Sequence, residues 1–165
     1  MDSVPPPLPS PGAQTVLRAH GWSPERDLDI SEWADRLRSD GNEVFPIAAA
    51  ILRNFGGLHV KSGEPPTGSR FAFDIDPSSW FQERELVQAV EEVIGARACP
   101  LGEAYGGAML AVLEDGRIIA DLSGDIAMLG DDLPAALDLL ILGQGAYRTL
   151  ARNYVPVSNQ QSQPS

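Results

Sequence analysis

Carboxylates dominate the side chains that could do chemistry. The chain carries 23 Asp and Glu against 12 Lys and Arg, with two histidines and one cysteine. Asp27 with Asp29, Asp74 with Asp76, and Asp131 with Asp132 are spaced as pairs that could serve acid and base work or glycoside hydrolysis. Asp29, Asp76 and Asp132 also stand where helix N-caps are wanted, and a capping carboxylate accepts backbone N–H bonds without any catalytic duty. His20, beside Gly21, reads as a helix C-terminal cap or dipole partner, and His59 as the polar face of a strand. Neither has an HxxxH, HxH or CxxC neighbour, so no metal site is expected. Cys99 has no second cysteine to bridge and reads as a small buried apolar residue. There is no GxSxG elbow and no Walker-type lysine loop, and the glycines from Gly102 to Gly107 lack the spacing of a dinucleotide fingerprint. The segment from Asp121 to Asp132 holds four aspartates without the order of a calcium loop. The residues therefore imply no catalytic set, no metal and no cofactor.

A formal net charge of −11 argues against direct binding to nucleic acid, because neutralising phosphates requires a basic footprint. It favours a basic protein partner instead, since opposite net charges raise the rate of encounter. One lysine, Lys61, against eleven arginines points to a GC-rich bacterial genome. No stretch approaches the ~20 apolar residues of a membrane span, and Met1 to Pro11 lacks a basic segment followed by an apolar one, so the expected location is the cytoplasm.

At 165 residues the chain suits a single core that needs neither disulfide nor metal. Pro5, Pro6, Pro7, Pro9 and Pro11 predict a disordered, proline-rich lead over residues 1–12. The polar stretch from Pro156 to Ser165 predicts a disordered tail, which leaves residues 13–155 as the domain. Within it, Thr15 to His20 predicts a short helix closed by Gly21. Asp29 with Glu32 forms a capping-box-like pair ahead of Ile30, Trp33 and Leu37, and Pro46 opens a third helix that Gly56-Gly57 stops. Leu58 to Lys61 and Arg70 to Ile75 alternate as the strands of a hairpin. Asp76-Pro77-Ser78 then opens one long amphipathic helix ending at Gly95, with Leu86, Val87, Val90 and Ile94 as its apolar stripe. Ala98 to Glu103, Ala108 to Leu113 and Arg117 to Leu122 read as strands, and Asp132-Leu133-Pro134 starts a last helix that ends at Gly143. The expected class is α+β with a largely antiparallel central sheet and helices packed around it. One sheet face should stay partly free and display His59, Lys61, Arg70, Asp74, Arg117 and Asp121.

Several of these residues fall into a recognisable order. Ala19-His20-Gly21-Trp22, Phe55-Gly56-Gly57-Leu58, Pro100-Leu101-Gly102, Asp115-Gly116-Arg117-Ile118, and Leu129-Gly130 ahead of Ala136 to Gly143 together resemble the SUKH superfamily, and within it the SUKH-3 branch of bacterial immunity proteins. The resemblance spans about residues 15 to 143 and implies helices around a central sheet. It also implies neutralisation of a polymorphic toxin, frequently a nuclease or deaminase, by direct binding. It implies no catalytic residue.

Acidity and resemblance together predict an immunity protein that places carboxylates in the basic groove of a cognate toxin. Asp121, Asp125, Asp131 and Asp132 are the candidate contact residues, read as a loop between the last strand and the final helix. The competing reading is an intracellular protein-interaction or scaffolding domain without a toxin partner, and an enzyme using the carboxylates stands behind both.

Overall fold

A computed structural model describes residues 4–153. The tail expected from Pro156 to Ser165 lies outside the described residues, as do Tyr154 and Val155 at the expected domain end. Among the described residues, five α-helices and one seven-stranded antiparallel sheet make an α+β fold. The helices are α1 (Pro11–Ala19), α2 (Ser31–Ser39), α3 (Pro46–Phe55), α4 (Arg84–Ile94) and α5 (Leu133–Leu137). The strands are β1 (His59–Val60), β2 (Phe73–Asp74), β3 (Ala98–Ala104), β4 (Ala108–Leu113), β5 (Ile118–Leu122), β6 (Asp125–Gly130) and β7 (Arg148–Ala151). They lie side by side in chain order, each antiparallel to the next.

Three helix boundaries differ from the sequence reading, each for a local reason. α1 begins at Pro11, so Pro11 and Gly12 belong to the helix and not to the lead. Proline suits the first turn, and Ser10 caps it by accepting from the Ala13 N–H while its hydroxyl donates to Asp138 Oδ1 at 2.6 Å. The Asp29–Glu32 capping box does not form. Asp29 instead accepts from the N–H and hydroxyl of Ser31, two hydrogen bonds that hold its pKa below the usual aspartate value. The expected long helix from Asp76 is two elements, a 3-10 turn over Pro77–Trp80 and then α4. Gln82 between them is left-handed at φ 66°, and its N–H donates to Asp40 Oδ2 at 2.8 Å, so a tertiary bond sets the break.

The segment from Asp121 to Asp132, read as a loop, contains the strand β6. Its apolar run does not alternate because both of its faces are buried. The larger core packs α1, α3 and α5 with Cys99, Leu101, Leu110, Val112, Ile118, Ala120, Ala127 and Leu129. On the other face α4 sets Val87 and Val90 against Ala98, Met109, Ala111, Leu113, Ile119 and Ile126. The expected open sheet face is therefore covered at its centre, and His59, Asp74 and Asp121 remain in one row at one end of it.

A polar knot ties the helices together. Buried Asn54 accepts from Trp22 Nε1 at 3.0 Å and donates to the carbonyls of Pro24 and Arg26. Arg26 in turn donates to the carbonyls of Asn54 and Gly56, which α3 leaves unpaired at its C-terminus. Gly56 has to be glycine for space, since a Cβ there would collide with the Leu52 carbonyl and the Trp33 ring, while Gly57 takes φ 81° as the chain turns toward β1.

Candidate interaction surface

The structure does not gather the four candidate aspartates. The β5–β6 ladder pairs Asp121 with Ile126 and Leu122 with Asp125, which puts Asp121 and Asp125 beside the β5–β6 turn. Asp131 and Asp132 follow β6 at its far end, about 20 Å away at some 3.3 Å per strand residue. Three of the four do local work. Asp121 Oδ1 accepts from the Gly124 N–H at 3.1 Å, Asp125 Oδ1 from the Asn153 N–H at 2.8 Å, and Asp132 Oδ1 from the Ala135 N–H at 2.9 Å as the cap of α5. Asp131 is exposed and borders a cleft with Asp138 and Arg148.

The other reactive side chains have structural roles. His20 Nδ1 lies 2.9 Å from the Val16 carbonyl and Nε2 accepts from the Lys61 N–H at 3.2 Å, an arrangement that requires the neutral ring protonated on Nδ1. It fastens the end of α1 to the edge of the sheet. His59 pairs with Asp74 at 3.0 Å on that edge, with both side chains substantially exposed. Asp76 caps the 3-10 turn through the Ser78 N–H. Cys99 is fully buried, and burial pushes its thiol up to about 12, so it is neither an activated nucleophile nor a ready metal ligand. Among the described residues no group of three or more His, Cys, Asp and Glu could hold a metal ion. No helix among them is long and apolar enough to cross a membrane.

The end of the sheet that carries Asp121 also carries aromatic residues that sequence reasoning did not single out. Tyr105 opens the β3–β4 turn and meets Phe71 edge-on, with ring centroids 5.1 Å apart, and the Arg70 guanidinium lies 5.3 Å from the Phe71 ring. A cleft of about 420 Å³ opens here between Trp80, Tyr105, Met109, Asp121, Leu122 and Ser123. The surviving sequence signal was the turn itself, Tyr105-Gly106-Gly107; nothing in it tells that Phe71, 34 positions earlier, packs on the tyrosine.

The SUKH-3 immunity protein model matches residues 9–143, from just before α1 to the glycine that closes the π-helical turn Asp138–Leu142. The chain belongs to the SUKH-3 immunity protein family. No curated protein and no solved structure matches it. The matched SUKH-3 segment contains α1 to α5, β1 to β6, the Trp22–Asn54–Arg26 knot and all four candidate aspartates, while β7 and Tyr147 lie beyond it. The glycines in the SUKH-like motifs serve the fold: Gly56 and Gly57 make the junction from α3 to β1, and Gly116, at φ 96°, closes the β4–β5 turn.

Proposed function

We propose that the protein is an immunity protein that binds a cognate polymorphic toxin in the cytoplasm and neutralises it by direct contact, acting as a binder and not as an enzyme. The observation that carries this reading is the SUKH-3 match over residues 9–143. The net charge of −11 supports a basic partner, as expected of a nuclease or deaminase whose groove accommodates phosphates. The polar chemistry also supports binding over catalysis, because Cys99 is buried and protonated while Asp76 and Asp132 are engaged as helix caps.

Asp121, Asp125, Asp131 and Asp132 remain the proposed acidic contacts, now as two patches at opposite ends of β6. The test is to mix the purified chain with a candidate toxin domain drawn from its gene's neighbourhood and to follow both complex formation and toxin activity. A complex in which activity is lost is the expected result. A toxin domain that stays active and unbound at micromolar concentrations of both proteins would overturn the assignment for that pair.

A further inference from the structure

Strand register completes a row that His59, Asp74 and Asp121 only outline. His59 stands opposite Asp74, Asp74 opposite Glu103, Glu103 opposite Met109 and Met109 opposite Asp121, so these side chains share one sheet face from β1 to β5. Residues directly opposite in an antiparallel pair lie about 5 Å apart, and like charges placed there oppose folding. Asp74 has His59 beside it at 3.0 Å. Glu103 is half-buried, faces that second carboxylate across the ladder, and has neither ion pair nor hydrogen bond among the described residues. The row itself contains no lysine or arginine. Trp80 sits over it, at the end of the 3-10 turn that Asp76 caps. Its indole donates to the Gly102 carbonyl at 2.7 Å, next to Glu103 in β3, and its ring packs on the apolar cluster that holds Met109. The same half-buried ring lines the 420 Å³ cleft with Met109 and Asp121. It therefore reaches from β3 toward β5 with a carboxylate on either side.

We propose that the toxin docks on this row, with its arginine or lysine side chains set along Asp74, Glu103 and Asp121 and one of them resting on the Trp80 ring. The proposal rests on the immunity reading and adds the surface to it. Charge and spacing select the occupant. Glu103 and Asp121 stand two strands apart, about 10 Å, which is too wide to share one metal ion and suits successive basic side chains of a protein. The adjacent pair, Asp74 and Glu103, is close enough for one guanidinium to meet both. A cation on a tryptophan face beside a carboxylate is held by the ring and by the charge together, and tryptophan and arginine are prominent among the residues that dominate protein interfaces. Asp121 is already fixed by the Gly124 N–H and forms the rim, so the weight of the contact falls on Glu103. A cation from the toxin relieves the repulsion between Asp74 and Glu103, and a conflict that the fold bears alone becomes affinity in the complex.

The test has two arms, both on the full chain. In urea unfolding, Glu103→Gln removes the like-charge pair and should unfold at or above the parent's midpoint. In binding to candidate toxin domains drawn from the gene's neighbourhood, Glu103→Lys should weaken the complex about ten-fold or more and flatten its salt dependence. Asp35→Lys on α2 makes the same change in net charge outside the row and should bind within about two-fold of the parent. Hydrogen exchange on the unmutated complex needs no variant and should show new protection at residues 105–107 and 122–124, the turns that border the cleft. A Glu103→Gln midpoint well below the parent's would show that the fold holds this carboxylate for itself, and would overturn the proposal whatever the toxin. If the parent neutralises a toxin that Glu103→Lys binds as well as Asp35→Lys does, or if protection falls only elsewhere, this surface is wrong and the immunity role stands. If the parent binds none of the candidate domains, the immunity role fails and this surface with it.

Discussion

Trp22 lies almost parallel to Phe55, with ring centroids 5.7 Å apart and 10° between their planes. The same indole donates its N–H to buried Asn54, so one side chain joins the α1–α2 connection to α3 by stacking and by a hydrogen bond together. Replacing Asn54 by Ala would leave the Trp22 N–H and the carbonyls of Pro24 and Arg26 without that partner. A loss of about 1–3 kcal/mol in urea unfolding is expected. Parent-like stability for Asn54→Ala would mean that water replaces the amide without cost.

The α3–β1 junction separates two reasons for glycine. Gly56→Ala must push against the Leu52 carbonyl and the Trp33 ring, and Gly57→Val must hold a β-branched residue at φ 81°. Each should lower stability by about 1–3 kcal/mol, whereas His59→Ala, on the exposed sheet edge, should change it by less than about 1 kcal/mol. Equal unfolding midpoints for the three variants would contradict this account of the junction.

Helices at their centres and the β4–β5 hairpin were legible because their signals are local: Pro46 and Gly56-Gly57 frame α3, and Asp115-Gly116 makes the turn between β4 and β5. The misread elements depend on partners remote in sequence. The break before α4 is fixed by Asp40 acting on Gln82, 42 positions away, and β6 lost its alternation because α4 covers the second face of the sheet. The same cause scattered the site. Four aspartates that are close in sequence end at two ends of one strand, while Tyr105 joins Phe71 across strands.

Cys99 should resist alkylation in the folded protein and react once it is unfolded. Its thiol is raised by burial to about 12 from an ordinary 9.0, so the folded state keeps a proton that the unfolded state releases. The stability from this group is fully present below pH 9 and declines as pH rises from 9 toward 12. Cys99→Ala should remove that part of the alkaline decline. An unchanged alkaline decline in Cys99→Ala would place its origin elsewhere.

Ser10 makes the start of the domain sharper than the proline pattern suggested. Removing residues 1–8 should leave the melting temperature close to the parent's. Removing residues 1–12 also deletes the α1 cap, the bond to Asp138 and the buried Pro9, and should cost at least about 1 kcal/mol. Identical melting curves for the two truncations would show that the Ser10 contacts add nothing.

The two acidic patches separate by mutation. Asp131→Asn should affect only one end of β6, and Asp132→Asn must be read beside a stability measurement because Asp132 caps α5. A loss of toxin protection with Asp121→Asn and Asp125→Asn, but not with Asp131→Asn, would assign the contact to the β5–β6 turn. The reverse pattern would move it to the start of α5.

Survival of cells expressing a candidate toxin domain drawn from the gene's neighbourhood tests the central claim most directly. Bacteria making that toxin domain alone should stop growing, and those that also make this chain should grow as uninduced cells do. A variant with Gly56→Val, which keeps the acidic surface residues but disrupts the α3–β1 junction, should not protect. Growth arrest that persists with the folded parent chain at a level equal to the toxin would contradict the account, because an immunity protein that meets its toxin must silence it.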